Sequence, residues 1–336
     1  LLETEGHIIP NFSKRQAAIK AQVEQAALKI KGTAVIDPDL LNEVTGLVEW
    51  PLAVLGDFDK KFLDIPSEAL ISAMKGHQKY FHILKDEKLL PNFITVSNIN
   101  SSNVKTVQQG NERVIRPRLA DADFFWNTDR KTTLHNELHK LKTVVFQNKL
   151  GSVYEKTQRV AALSESLAKS LNADAILCRR AAELSKGDLM TEMVGEFPDL
   201  QGIMGRYYAT HDGEDAAVAQ AMDEQYQPRF SGDELPDSIT GQALAIADRL
   251  DTLTGIFALG KPPTGDKDPF GLRSAALGVL RIMIEKQLDL ELRALIETSA
   301  ETFPADLNAG KVSADLFAFM MDRLRAYYLT IENEKT

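Results

Sequence analysis

The stretch 242-QALAIADRLDTLTGIF-257 decides the fold class. It reads as a largely apolar helix, and it belongs in a helical core rather than on a surface. Working back from it, 227-QPRFSGDELPDSITG-241 is a loop by composition. Two more helices precede that loop. In 156-KTQRVAALSESLAKSLN-172, Val160, Leu163, Leu167 and Leu171 fall on one stripe. In 174-DAILCRRAAELSK-186, Asp174 is the cap and Ile176, Leu177 and Leu184 point inward. The first part of the chain is mixed. Residues 13–31 have helical spacing, with Ser13 as N-cap and Gly32 just past the end. The segment 66-PSEALISAMKG-76 is a helix with proline at its start and glycine at its stop. Around 47-LVEWPLAVLGDF-58 and 90-LPNFITVSNIN-100 the pattern is short, β-branched and bounded by breakers, so it predicts strands. The fold class expected is α+β, predominantly α-helical. Its parts are a mixed α/β region over 1–145, a helical domain over 146–260 and a further helical segment over 261–336.

Composition narrows the function classes. The 336 residues are 44% hydrophobic and 26% charged, a normal globular balance. One cysteine, Cys178, rules out an internal disulfide and fits a reducing, cytoplasmic compartment. No apolar run reaches the roughly 18 residues of a membrane span; the longest, 275-AALGVL-280 with IMI after it, is broken by Arg281. The net charge of −9 argues against a general polyanion binder such as a DNA-coating protein. Any RNA contact must come from a local basic patch.

The glycines of 260-GKPPTGDKDPF-270 invite a phosphate-cradling reading, which the chemistry rejects. A phosphate loop needs lysine and a hydroxyl straight after its second glycine. Here Gly265 is followed by Asp266, which repels phosphate, and Lys267 comes one place late. Pro262 and Pro263 also remove two N–H donors from the cradle. The stretch instead predicts a helix start, with Asp268 as N-cap and Pro269 in the first helical position of 270–286. That helix is apolar nearly all round and should be buried. Lys267 and Arg273 are left as candidate contacts to a partner.

The pair 211-HD-212, followed by Gly213, is expected to be a helix end or loop pair. The helical region from 150 to 257 nevertheless resembles the histidine–aspartate metal phosphohydrolases, in a different register. Against that family's first ligand helix the chain has 156-KTQRV-160; against its second, 181-AAELSK-186; against its last, 246-IADRLD-251. In this register the ligand positions hold Lys156, Ser185, Lys186 and Asp248, so only one ligand survives. Two ammonium groups where a dication would sit oppose metal binding, and no metal is expected. Lys186 could pair with Asp248 in the metal's stead. His135 and His139, four apart on an expected helix, have no third ligand near in sequence and suggest a solvated face.

A closer match covers most of the chain. The runs 77-HQKYF-81, 90-LPNFITVSNI-99, 113-RVIRPRLADADFFWNTDRK-131 and 146-FQNKLGSVYEK-156 resemble the β subunit of bacterial glycyl-tRNA synthetase. So do 184-LSKGDLMTEMVGEFPDLQGIMGRYYA-209, 244-LAIADRLDTLTGIF-257 and 261-KPPTGDKDPFGLRSAALGVLRI-282. The resemblance implies an assembly of α and β subunits in a heterotetramer, with ATP and Mg²⁺ used by the α subunit to activate glycine. The β subunit would handle glycine tRNA and supply a helical domain like the phosphohydrolases without their ligands. This chain itself would be non-catalytic, an internal piece without the anticodon-binding bundle. The rivals are a working metal phosphohydrolase, and a subunit-interface module that never touches RNA.

The residues offer modest support for RNA contact. Arg113, Arg116, Arg118, Arg130 and Lys131 stand near Phe124, Phe125 and Trp126. Guanidinium groups can pair with phosphates and aromatics can stack on bases. The competing reading is a loop whose arginines pair with Asp121, Asp123 and Asp129 while the aromatics fill a core. In 77-HQKYFH-82, Lys79, Tyr80 and Phe81 either form a stacking platform or feed the core.

Overall fold

The computed structural model describes residues 1–334, with side chains described through Thr330. The chain divides into two compact units, Leu1–Asp129 and Arg130–Thr336.

The first unit is built on a four-stranded antiparallel sheet. Its strands are β1 (Thr33–Ala34), β2 (Leu52–Asp57), β3 (Phe81–Lys85) and β4 (Lys88–Ser97), in the order β1-β3-β4-β2. The β3–β4 hairpin closes through Asp86 and Glu87, whose φ values of 47° and 62° give the turn twist that adjoining antiparallel strands require. Helices α1 (Phe12–Leu28) and α2 (Pro38–Leu47) pack on one face. There Ile19, Val23, Leu40 and Val44 meet Phe81, Ile83 and Ile94 in one buried cluster. Asn11, not Ser13, caps α1 by accepting the Lys14 N–H at 2.8 Å. Gly32 does not make the left-handed turn after α1; Lys31 does, at φ 57°. Gly32 is needed for closeness, because a Cβ there would lie 2.5 Å from Ile83 Cγ2.

A short helix, α3 (Ser67–Ser72), is followed by a wider turn over Ala73–His77. The aromatics after it feed the core: Tyr80 and Phe81 are buried, and the Tyr80 ring stacks on Phe93 at 4.4 Å. Lys79 pairs with Glu43 at 3.0 Å. The platform reading of this run therefore gives way to packing.

The largest correction falls on residues 113–131. Through Asp129 they form no loop but the second half of α4 (Val104–Asp129), a helix of 26 residues with Pro117 inside it, and Arg130 and Lys131 follow its end in a turn. Proline normally stops a helix because it lacks an N–H and crowds the preceding turn. Here Pro117 sits on the exposed side, so the Arg113 carbonyl that loses its donor can be met by water. The opposite side of α4 buries Ile115, Leu119 and Ala122 and lies against β2, where Glu112 accepts the Asp57 N–H at 3.2 Å.

The second unit is helical apart from one small hairpin. After α5 (Leu134–Glu137) come β5 (Val145–Gln147) and β6 (Gly151–Ser152). The helices then run α6 (Val153–Ser170), α7 (Ala175–Leu184), α8 (Glu192–Glu196), α9 (Ile203–His211), α10 (Ala216–Glu224) and α11 (Ile239–Ala258). They end with α12 (Leu272–Glu285), α13 (Leu292–Glu301) and α14 (Ser313–Glu334). The opening stretch of the sequence is the central element. Helix α11 packs on α6, α7, α10, α12 and α13, and fifteen of its twenty residues are buried. Asp174 caps α7 as expected, but Ile176 is 79% exposed. The inward face of α7 is Cys178, Ala181, Ala182 and Leu184, mostly small side chains that let α6 and α7 approach closely.

Helix α12 begins at Leu272, later than expected, with Gly271 (φ 64°) in the N-cap position. Pro269 lies in the preceding turn. Asp268 still does the capping chemistry, because its two carboxylate oxygens accept the N–H groups of Leu272 at 2.8 Å and Arg273 at 2.9 Å. The helix is not buried all round: Phe270 just before it and Ile284 near its end are exposed. Among the described residues no helix is long and apolar enough to cross a membrane.

Candidate functional site

The second unit has its chemistry where α6, α7 and α11 meet. A capping box fixes the start of α6: Ser152 Oγ accepts the Glu155 N–H, and the Glu155 carboxylate accepts the Ser152 N–H. That start places Lys156 and Arg159, three apart, on one buried face. On α11, Asp248 and Asp251 have the same spacing and face them. Arg159 donates to both oxygens of Asp251, at 2.7 and 3.3 Å, and to the Leu150 carbonyl at 3.1 Å. Lys156 Nζ donates to Asp251 Oδ2 at 3.2 Å, to Thr252 Oγ1 at 2.8 Å and to the Asp248 carbonyl at 3.0 Å. Both cations also lie over aromatic rings, Lys156 over Phe146 and Arg159 over Phe303.

Three of the four positions mapped onto metal ligands converge. The ammonium groups of Lys156 and Lys186 stand 3.3 and 3.4 Å from Asp248 Oδ1. That oxygen meets the two charges without accepting a hydrogen bond of good geometry. Lys186 also donates to Gln225 Oε1 at 2.8 Å and lies over the Tyr226 ring. The fourth position is turned away: Ser185 Oγ donates to the Ala182 carbonyl at 2.7 Å. Burial alone would raise the Asp248 carboxyl, but Lys156, Lys186 and Arg249 outweigh it and hold the group well below the usual carboxylate range. A dication would have to displace two ammonium groups to reach this carboxylate, so the donor set does not fit a metal. Among the described residues no three His, Cys, Asp or Glu side chains are grouped to hold one.

Arg249, Asp188, Gln225 and Tyr226 complete the site, and none of them stood out in the sequence. Arg249 spends its N–H groups on the carbonyls of Gln225, Tyr226 and Pro228, at 3.0 to 3.2 Å. Burial draws its guanidinium down to about 10. Asp188 is fully enclosed. One oxygen accepts the N–H groups of Gly202 at 2.6 Å and Gly205 at 3.1 Å, while the other has no partner. Gly202 is required here by its φ of 81° and by closeness, since a Cβ would lie 2.7 Å from the Met222 carbonyl. A cavity of about 410 Å³ opens beside the cluster, with Asp248, Arg249, Tyr226, Arg229 and Phe270 in its wall.

Enclosure pushes the Asp188 carboxyl up to about 6, despite the N–H donors of Gly202 and Gly205 and the nearby Lys186. The folded chain therefore keeps a proton between pH 4 and 6 that the unfolded chain gives up. Stability contributed by that proton is present below about pH 4 and is lost as pH rises through 6, by about 3 kcal/mol. Asp188→Asn should remove this slope. Urea unfolding at pH 4.5 and 7.5 should show the variant gaining on the parent as pH rises; a constant difference would mean that Asp188 does not titrate in this range.

The remaining candidates lie apart from this cluster. Arg113, Arg116 and Arg118 are all exposed on α4, and among the described residues no ion pair joins them to Asp121, Asp123 or Asp129. At 3.6 residues per turn, Arg113 and Arg116 share a face with Phe124, whereas Arg118 flanks the buried stripe on the other side. Phe124 is 63% exposed, and Phe125 and Trp126 are half-buried, so this aromatic run does not fill a core. Lys131 is exposed at the start of the second unit. Lys267 is exposed in a tight turn closed by its own N–H to the Thr264 carbonyl, and Arg273 donates to the Gly265 carbonyl of that turn. His211 ends α9 and Asp212 is its C-cap, followed by Gly213 at φ 80°. The Asp212 carboxylate accepts the Leu134 N–H at 2.7 Å. His135 lies beside Arg180, and His139 bonds the Asn136 carbonyl, so the two form no ligand pair.

The family model for "Glycyl-tRNA synthetase beta subunit" matches residues 1–335. The chain belongs to the glycyl-tRNA synthetase β-subunit family. It is similar to the "Glycine--tRNA ligase beta subunit" of Marinobacter nauticus, 52% identical over 330 residues that make up 98% of this chain and 48% of the relative. The proteins of the same name from Hahella chejuensis and Pectobacterium carotovorum are also 52% identical, over 97% and 98% of this chain. The chain spans about half the length of these glycine–tRNA ligase relatives, 47% to 48%.

Proposed function

We propose that this chain is a tRNA-handling and assembly part of a cytoplasmic glycine–tRNA ligase. ATP-dependent attachment of glycine, with Mg²⁺, would be carried out by a partner α subunit in a heterotetramer. The chain itself would position glycine tRNA rather than make bonds. The observation that carries this reading is the outer face of α4. It offers two arginines three residues apart, Arg113 and Arg116, with no acid bound to either among the described residues, and an exposed Phe124 farther along the same face. Such groups fix a phosphate backbone in register and leave an aromatic surface for a base. The ammonium–carboxylate cluster supports the non-catalytic part of the proposal. A helical domain descended from metal phosphohydrolases would keep its packing by replacing the bound cation with Lys156 and Lys186.

In the assembled ligase, Arg113→Glu with Arg116→Glu should raise the KM for glycine tRNA by about ten-fold or more and leave kcat nearly unchanged. Lost phosphate contacts weaken binding uniformly and flatten its salt dependence by about one unit of slope each. An unchanged KM together with weaker subunit assembly would favour an interface without RNA contact.

A further inference from the structure

A second cavity, of about 500 Å³, lies between the loop at 228–232, α12 and α14. Four arginines line it, Arg229 from the loop, Arg273 and Arg281 from α12 and Arg323 from α14, and no lining residue is acidic. In a chain of net charge −9 this is a concentrated positive wall. The four are not equivalent. Arg281 is neutralised by Glu285, with Nε at 2.7 Å, and Arg229 is paired with Asp223 at 2.5 Å. Arg273 gives one N–H to a neutral carbonyl, that of Gly265. Arg323 has no carboxylate partner among the described residues; its Nε is buried without an acceptor, and its guanidinium stands 5.9 Å from the centre of the Phe319 ring. Among the described residues two guanidinium groups on facing helices thus lack a counter-ion, and one N–H lacks an acceptor.

The rest of the wall has the chemistry of a nucleotide site. Ser231 and Ser274 add hydroxyls that can donate to phosphate or ribose oxygens, while Thr330 donates to the Ala326 carbonyl at 3.0 Å and Tyr327 to Glu285 at 3.4 Å. Phe230, also in the wall, is 68% exposed and offers a free ring face for a base. A planar fork is the group best matched to phosphate oxygens. We infer that this cavity binds a nucleotide phosphate ester, with the phosphate between Arg273 and Arg323 and the base towards Phe230. Its source is a nucleotide of the bound RNA strand or a free mononucleotide; the first rests on the tRNA-handling reading above and the second does not.

The test uses the full chain with four probes: glycine tRNA, a single-stranded RNA hexamer, AMP and inorganic phosphate. Two variants separate binding from folding. Arg323→Glu reverses the unpaired guanidinium, and Ser231→Glu places an anion at an exposed loop position with no part in packing. If the source is RNA, both variants should weaken the hexamer and the tRNA about ten-fold or more and flatten their salt dependence. If the source is a free nucleotide, both should abolish AMP binding while tRNA binding is unchanged. AMP binding that is lost in both variants, in a chain that binds no tRNA, would keep this site and overturn the tRNA-handling reading. Binding of tRNA that neither variant alters, with no binding of AMP or phosphate, would overturn the site and leave that reading standing. A chain that binds none of the four probes overturns both.

Discussion

Asp251→Ala is expected to lower the unfolding free energy by about 3–5 kcal/mol, the range for breaking a buried ion pair from one side. The side chain is 1% exposed and serves two cations, Arg159 at 2.7 Å and Lys156 at 3.2 Å. Its removal leaves both buried, with Lys156 retaining only Asp248 as a counter-charge and Arg159 retaining none among the described residues. The cost is the uncompensated charge more than the lost attraction, so a second substitution should give part of it back. Asp251→Ala combined with Arg159→Met should be more stable than Asp251→Ala alone, because the methionine stem can fill the space beside Phe303 without a charge. Urea unfolding of the three proteins checks this. A loss under about 1 kcal/mol for the single variant would show that water or another group already serves these cations.

Asp248→Ala is the second large effect. It leaves the ammonium groups of Lys156 and Lys186 facing one emptied position, both within 3.4 Å of the lost oxygen. The side chain is 20% exposed at the cavity wall, so screening reduces the expected loss to about 2–3 kcal/mol. The pH dependence has the opposite sign to that of Asp188. The folded Asp248 carboxyl titrates below its unfolded range, so its contribution is present above about pH 4 and is lost as pH falls. A metal-centred account makes a different forecast. If a cation held this site, a chelator would destabilise the parent as much as Asp248→Ala does. The ammonium account expects no effect of chelator on the melting temperature.

The core of the second unit was legible in the sequence because its helices are unambiguous. Helix α11 is too apolar to be anywhere but inside, and Val160, Leu163 and Leu167 are buried along α6. The convergence of Lys156 and Lys186 on Asp248 was anticipated through the ligand positions of a similar family. The equally buried Arg159–Asp251 pair was not, although a signal existed: two helices each carry like charges three residues apart on an apolar face. Asp188 could not be found, because its role depends on backbone N–H groups of Gly202 and Gly205 brought to it by tertiary packing.

Helix α4 failed as a reading for a local reason. Pro117 and the density of charge around it resemble a loop, and only the sheet beneath α4 shows that Ile115, Leu119 and Ala122 form a buried stripe. The same misreading bears on its arginines. Arginines expected to pair with neighbouring acids in a loop are spread on a helix, where sequence neighbours do not face one another. Ile176 illustrates the converse error, an apolar residue assigned inward on hydrophobicity when the close contact of α6 and α7 selects alanine and cysteine.

The central claim is that this chain carries part of the surface that recognises glycine tRNA. The most direct measurement is equilibrium binding of the full chain to glycine tRNA and to an unrelated tRNA at low and at moderate salt. The account predicts tighter binding of the glycine tRNA and a steep loss of affinity as salt rises, the sign of released counter-ions. No binding of either tRNA at low salt would contradict it and leave the chain as a scaffold.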